Sequence, residues 1–343
     1  PIEIVARKSE NDWIEIHAEG LKIPFEFETH PPIRFILVQS ADVSELIILC
    51  HHMICDGMSL AYLARDLLVH LGDPAREVDV LPPPPVIDLD NLPDDASQSG
   101  LAKFFIKRMN QKWAEECIFF DQEDYKILTK AYWDNFHHKF FAIELSEAET
   151  TVLVQRCREE GVTVNSALTA AFSGAQSFVE GAKSYHSKIV VAASLRDRLP
   201  NSPGEGFGMY AGGVELKFKY NHKKSFWENA RAFHKKIRPK YTNKHLFSDI
   251  LNWLYLDPTI FEAMNFKKLG GLVPSDSVRH KKLSTFSKKA DVVLRILQRD
   301  HLESLQTKHW GTAVTNLGRL DFAQNYGELA LDRLIMQPGG GLS

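Results

Sequence analysis

Seven consecutive residues, His51-His52-Met53-Ile54-Cys55-Asp56-Gly57, gather the side chains of this sequence best suited to proton-transfer chemistry. A neutral imidazole accepts a proton near pH 7, so a histidine held in place can deprotonate a hydroxyl or amine as that group attacks a carbonyl. Asp56 follows His52 by four residues, and Gly57 permits a sharp turn where a side chain would obstruct the chain. At ordinary residue usage H-H-x-x-x-D-G should arise by chance in on the order of one in a thousand chains of this length. The second histidine pair, His137-His138, is followed by Lys139-Phe140-Phe141 rather than by Asp-Gly, and reads as filler.

Such a site needs rigid elements on both sides. The apolar run Leu46 to Cys50 reads as a strand, and Ile33 to Val38 as its hairpin partner across the polar Gln39 to Glu45. Ile2 to Val5 and Trp13 to Ile16 read as further strands. Alternation along a strand would point His51 and His52 to opposite faces. After Gly57, Leu60, Leu63, Ala64, Leu67, Leu68 and Leu71 recur at helical spacing, with Ser59 as N-cap, Gly72 as the stop and Pro74 beyond.

Two other chemistries fit less well. Gly57-x-Ser59-x-Ala61 approaches a nucleophile elbow, but the elbow places its serine at the strand-to-helix turn and a glycine two residues on. Here His51 to Asp56 occupy the turn and Ala61 replaces the second glycine. Cys50 and Cys55 bracket the histidines, yet C-H-H-x-x-C is not a zinc spacing, so no metal is expected.

At 343 residues, with 44% hydrophobic and 25% charged residues, the chain has the mass and composition for two globular domains. A net charge of −3 disfavours a nucleic-acid binder, a class that usually carries a basic excess. Four cysteines, Cys50, Cys55, Cys117 and Cys157, suggest reduced thiols in a cytoplasmic protein rather than a disulfide framework. No apolar run approaches the ~18–20 residues that span a bilayer.

Leu81-Pro82-Pro83-Pro84-Pro85 opens an extended surface connection reaching about Gly100. A helix with Leu101, Phe104, Phe105, Met109 and Trp113 on one face follows; its basic residues allow a membrane-surface role, and packing on its own protein is the simpler expectation. Ser146-x-x-Glu149 and Ser225-x-x-Glu228 are capping boxes opening helices. Val164 to Val179 reads as another helix, Lys188 to Ala193 and Thr312 to Arg319 as strands.

The motif, with Ser194-Leu195-Arg196-Asp197-Arg198-Leu199-Pro200 and Val314-Thr315-Asn316-Leu317-Gly318, resembles the CoA-dependent acyltransferase superfamily. That superfamily includes chloramphenicol acetyltransferase, peptide-synthetase condensation domains, plant BAHD enzymes and alcohol acyltransferases. The BAHD motif D-F-G-W-G is absent; Asp321-Phe322 begins it and Ala323-Gln324-Asn325 departs.

The resemblance implies an α/β, two-lobed chloramphenicol-acetyltransferase-like fold, each lobe a mixed sheet with flanking helices. The lobes would be residues 1–139, carrying the motif, and 140–343. His52 would be the general base, with His51 beside it, and Asp56 and Gly57 would shape the loop. Arg196, with Arg198 as competitor, would be the ion-pair partner of Asp56. Thr315 or Asn316 would offer hydrogen bonds to a tetrahedral oxyanion. A basic face of the helix after Ser225, with Lys235 and Lys236, would meet the donor.

No bound cofactor is implied: acyl-CoA, or an acyl-phosphopantetheine carrier protein, is a co-substrate, and the acceptor a small molecule or lipid. Three activities remain open, namely O-acyl transfer from acyl-CoA, condensation of a carrier-bound acyl group with an amine, and an inactive partner-binding homologue. The intact motif disfavours the last. The resemblance also implies an opening segment before Pro1 and a final strand and helix after the Gly339-Gly340-Gly341 end.

Overall fold

The computed structural model describes residues 2–80, 82–116, 119–181, 187–289 and 312–337; Cys117 and the end from Gly339 to Ser343 lie outside them. The first sheet is mixed, in the order β1 (Ile2–Ala6), β2 (Ile33–Gln39), β3 (Ser44–Cys50). β1 runs parallel to β2, and β3 returns antiparallel with Ile36 opposite Ile47. Period-two alternation sends Ile36, Val38, Ile47 and Leu49 to one buried face.

Helix α1 (Asp12–Lys22) covers that face, so the expected strand Trp13 to Ile16 is helical instead. Ile14-Glu15-Ile16 alternates over only three residues, whereas Trp13, Ile16, Gly20 and Leu21 repeat at helical spacing. Gly20 marks the contact: a Cβ there would stand 2.7 Å from Leu49 Cδ1. Asp12 and Glu15 in the first turn and Lys22 in the last suit the helix dipole.

After the motif comes α2 (Gly57–Gly72), ending at the expected glycine. Then follow α3 (Gly100–Glu116), α4 (Gln122–Asn135), α5 (Glu147–Glu159) and α6 (Val164–Glu180). The second sheet, ordered β5 (Ala211–Lys217), β4 (Lys188–Ser194), β6 (Thr312–Val314), is mixed as well. β4 pairs antiparallel with β5 and parallel with β6. α7 (Phe226–Ile237) packs Phe233 and Ile237 onto this sheet. Both expected capping boxes, at Ser146 and Ser225, are formed.

The remaining α-helices are α8 (Asn243–Leu246), α9 (Ser248–Tyr255), α10 (Pro258–Leu269) and α11 (His280–Lys289), with the two-residue strands β7 (Asn325–Tyr326) and β8 (Leu329–Ala330) and short 3₁₀ turns at Arg196–Arg198, Arg238–Lys240 and Gly270–Leu272. The expected two-lobed α/β architecture is thus built on two mixed sheets. A core of helices spans the sequence on either side of residue 139. Trp113 of α3, Leu128 of α4, Ile260 of α10 and Leu283 of α11 are all fully buried in it. Trp113 Nε1 donates to Thr259 Oγ1 at 2.7 Å across that core.

Two expectations need revision. The proline-rich connection does not simply run over the surface: Asn91 and Ala96 are buried, and Asn91 hydrogen-bonds the backbone of Asn201 in both directions. The apolar face of α3 is divided, with Ile106 and Trp113 in the core while Leu101, Phe104 and Phe105 are exposed. Among the described residues no helix is long and apolar enough to cross a membrane.

Burial holds the pKa of His17, His138 and His234 below the ordinary histidine value, helped at His234 by Arg238. Below pH ~6.5 the unfolded chain therefore binds protons that the folded chain refuses, and stability falls as pH falls. Partial desolvation and the nearby Asp124 carboxylate push the Glu262 pKa up, which acts in the opposite sense. We expect Tm to drop between pH 7 and 5.5 and His138→Asn to flatten that slope. Equal slopes in calorimetry would remove His138 from this account.

Candidate active site

The motif leaves β3 at Cys50, turns through His51 to Asp56, and enters α2 at Gly57. Asp56, not Ser59, is the N-cap: its carboxylate accepts the Ser59 backbone N–H at 2.8 Å. Ser59 sits one turn further on, at the third helical position, where its side chain is free for other bonds.

The two histidines have different surroundings. His51 is half-buried, edge-on to Phe27 (5.2 Å) and Phe25 (5.9 Å). His52 is exposed, and its Nδ1 lies 2.9 Å from the carbonyl oxygen of Cys55. A carbonyl can only accept, so Nδ1 carries the proton and the lone pair is on Nε2. The loop folds back on itself to fix the tautomer.

Asp56 is held from the other half of the chain. The Arg196 guanidinium, in a single 3₁₀ turn after β4, donates from Nη2 to Asp56 Oδ1 at 3.1 Å, and both side chains are about 95% buried (5% and 6% exposed). Nη1 of Arg196 donates to the carbonyls of Gly204 (2.9 Å) and Gly206 (2.8 Å). Its guanidinium lies over the rings of Tyr210 (4.7 Å) and Tyr62 (5.5 Å). The Tyr210 N–H donates to Asp56 Oδ2 at 3.0 Å, and the Asp56 N–H to Gly208 oxygen at 3.1 Å. Of the two candidate arginines, Arg196 makes the ion pair; Arg198 donates instead to Asn243 Oδ1 at 2.8 Å.

Ser59 ties these groups together. Its Oγ accepts from Arg196 Nη2 (2.7 Å) and from the Gly208 N–H (3.0 Å). Its one hydroxyl proton serves the Gly208 carbonyl (2.7 Å) or Asp56 Oδ1 (2.9 Å). Sequence reasoning gave Ser59 only a capping role. The missed signal was its spacing, since a serine three residues after an aspartate N-cap meets that carboxylate.

Thr315 and Asn316 lie just beyond β6, which is shorter than the expected strand, and both are exposed. Asn316 Oδ1 accepts the Gly318 N–H at 2.8 Å, and Gly318 at φ +72° turns the chain beyond the strand. The same segment reaches the motif through Leu317: a Cβ on Gly57 would stand 3.0 Å from Leu317 Cδ2.

Lys235 and Lys236 are exposed on α7. Lys236 lies over the Phe218 ring (6.0 Å), Arg231 pairs with Glu160, and His234 Nδ1 meets Ser166 Oγ at 3.0 Å. None of these bonds reaches the motif loop. His138 packs against Trp133 and hydrogen-bonds Tyr132 at 2.6 Å. Among the described residues no group of three or more His, Cys, Asp or Glu could hold a metal ion.

A model of the alcohol acetyltransferase family matches residues 7–273, a stretch holding both the motif and its arginine. The chain belongs to that family. No curated protein matches. Among solved structures, the first condensation domain of the calcium-dependent antibiotic synthetase, bound to a substrate analogue, is 14% identical with a TM-score of 0.46, covering 75% of this chain and 57% of that one. The SgcC5 protein of Streptomyces globisporus is 16% identical, with a TM-score of 0.41 and coverage of 76% and 58%. Polyketide synthase associated protein 5 of Mycobacterium tuberculosis is 15% identical, with a TM-score of 0.43 and coverage of 76% and 60%. This member of the alcohol acetyltransferase family thus spans just over half the length of those structures.

Proposed function

We propose that the motif loop is the acyl-transfer site of an O-acyltransferase that moves an acyl group from acyl-CoA to the hydroxyl of a small-molecule or lipid acceptor. The observation carrying this reading is the bond from His52 Nδ1 to the Cys55 carbonyl, which in the neutral ring places the lone pair on Nε2 of an exposed imidazole. Nε2 takes the acceptor proton as its oxygen attacks the thioester carbonyl. The tetrahedral intermediate expels the thiolate, and the imidazolium returns the proton to it. No acyl-enzyme is required, and Ser59, buried and fully engaged, is no nucleophile.

Asp56 and Arg196 position the loop without touching substrate. Thr315 and Asn316, in the segment whose Leu317 packs on Gly57, are the candidate oxyanion donors. One such donor is typically worth ~2.7–4 kcal/mol. The test is release of free CoA from a panel of acyl-CoAs, with alcohols and amines as acceptors. Alcohol-dependent release supports this reading. Release only with amines, or only from a carrier-bound thioester, replaces it with condensation chemistry. No release with any pair makes the chain a binding homologue.

Lys235 and Lys236 are proposed to meet the phosphates of CoA. Lys235→Glu with Lys236→Glu should raise the donor KM and leave the acceptor KM unchanged. The defect should shrink in high salt, because exposed charges are screened over ~8–10 Å at physiological ionic strength. Equal changes in both constants, or none, would remove α7 from the donor site.

A further inference from the structure

Cys50 and Cys55 stand on the two ends of the motif turn, one closing β3 and the other preceding Asp56. Their sulfurs are 3.0 Å apart, with the Cys55 thiol donating to Cys50 Sγ. Cys55 is buried and Cys50 is half-buried at the strand end. The acyl-transfer mechanism uses neither sulfur.

We propose that Cys50 and Cys55 form an oxidative modification site, closed by hydroperoxides into a disulfide that displaces the base of the acyl-transfer site. The effect on activity rests on the function proposed above; the modification does not. A disulfide requires the sulfurs at about 2.05 Å, so they must close by roughly 1 Å. Cys50 is held in the β3 ladder opposite Ile33, so the closure falls on the loop side, at Cys55, whose carbonyl oxygen holds His52 Nδ1. Oxidation therefore acts on the hydrogen bond that orients the imidazole.

The roles of the two sulfurs differ. The hydrogen bond from Cys55 lowers the pKa of Cys50, while that same bond, burial and nearby Asp56 raise the pKa of Cys55. Cys50 is thus the more readily ionised and the more accessible sulfur, and the thiolate is the reactive form. Its thiolate attacks the terminal oxygen of the hydroperoxide, the O–O bond breaks, the other oxygen leaves as water or an alcohol, and Cys50 becomes a sulfenic acid. Cys55 then attacks that sulfur, and its hydroxyl leaves as water. The two thiols lose two electrons and two protons, and the peroxide O–O bond is reduced.

The protein is treated with hydrogen peroxide, alkylated, and mapped by mass spectrometry, with CoA release and the ¹⁵N imidazole signals of His52 followed in parallel. We expect a Cys50–Cys55 linked peptide lighter by about 2 mass units, reversed by dithiothreitol. The Nδ1–H signal of His52 should be lost. CoA release should fall by up to about a hundredfold, the scale set by a 1 Å misplacement. Cys50→Ser should keep the reduced protein's activity and its signals after peroxide.

Over-oxidised Cys50 without the link would overturn the proposal, as would a link that leaves the His52 signals unchanged or a Cys50→Ser variant equally sensitive to peroxide. If the reduced protein releases no CoA at all, the function proposed above fails, while peptide map and His52 signals still decide this inference.

Discussion

Replacing His52 with alanine should lower CoA release by about 10²–10⁴-fold, the usual cost of losing a general base. The fold should be nearly unaffected, because the imidazole is exposed and its recorded hydrogen bond is to the backbone of its own loop. His51→Ala should behave in the opposite way. That ring is wedged against Phe25 and Phe27, so its removal should cost stability first and rate second. His138→Ala should spare the chemistry, since its partners are Tyr132 and Trp133. The measurement is kcat with matched circular dichroism and melting curves. Turnover of His52→Ala within about threefold of the parent, far short of a lost base, would end the assignment of His52.

Much of this site was legible because local rules govern it. The strand run into the motif, the leucine stripe of α2 and its stop at Gly72 depend on periodicity and end signals within one turn or strand. The capping boxes at Ser146 and Ser225 are likewise closed within four residues. Trp13 to Ile16 was misread because a three-residue alternation also fits a helix, and what decides between them is the distant sheet that α1 covers.

What stayed hidden depends on contacts far apart in sequence. No spacing rule links Ser59 to Gly208, 149 residues away, or seats Leu317 on Gly57. The arginine that meets Asp56 could not be chosen from Ser194 to Pro200 alone. The 3₁₀ turn after β4 decides it, aiming Arg196 inward and Arg198 toward Asn243. The division of the α3 face is of the same kind, since Leu101, Phe104 and Phe105 match Trp113 in character but not in neighbours.

Arg196→Ala should be among the most destabilising changes in the chain, lowering stability by about 3–5 kcal/mol as expected when one partner of a buried ion pair is removed. It strands the Asp56 carboxylate, frees the Gly204 and Gly206 carbonyls, and empties the space between Tyr62 and Tyr210. Asp56→Asn should cost less, because an amide oxygen can still accept from Ser59 or Tyr210. Activity should fall with stability in both variants, since the bonds that pin Asp56 also pin the residue next to it, whose carbonyl orients His52. Lysine should not rescue position 196: one ammonium cannot reach Asp56, Ser59 and two carbonyls as a planar guanidinium does. Arg198→Ala should be nearly neutral by comparison. In a double-mutant cycle on thermal unfolding, Asp56→Asn and Arg196→Ala should be less than additive by about 0.5–3 kcal/mol, as contacting residues are. Strict additivity would mean that the two residues stabilise the loop separately, and that the ion pair is not what holds His52 in place.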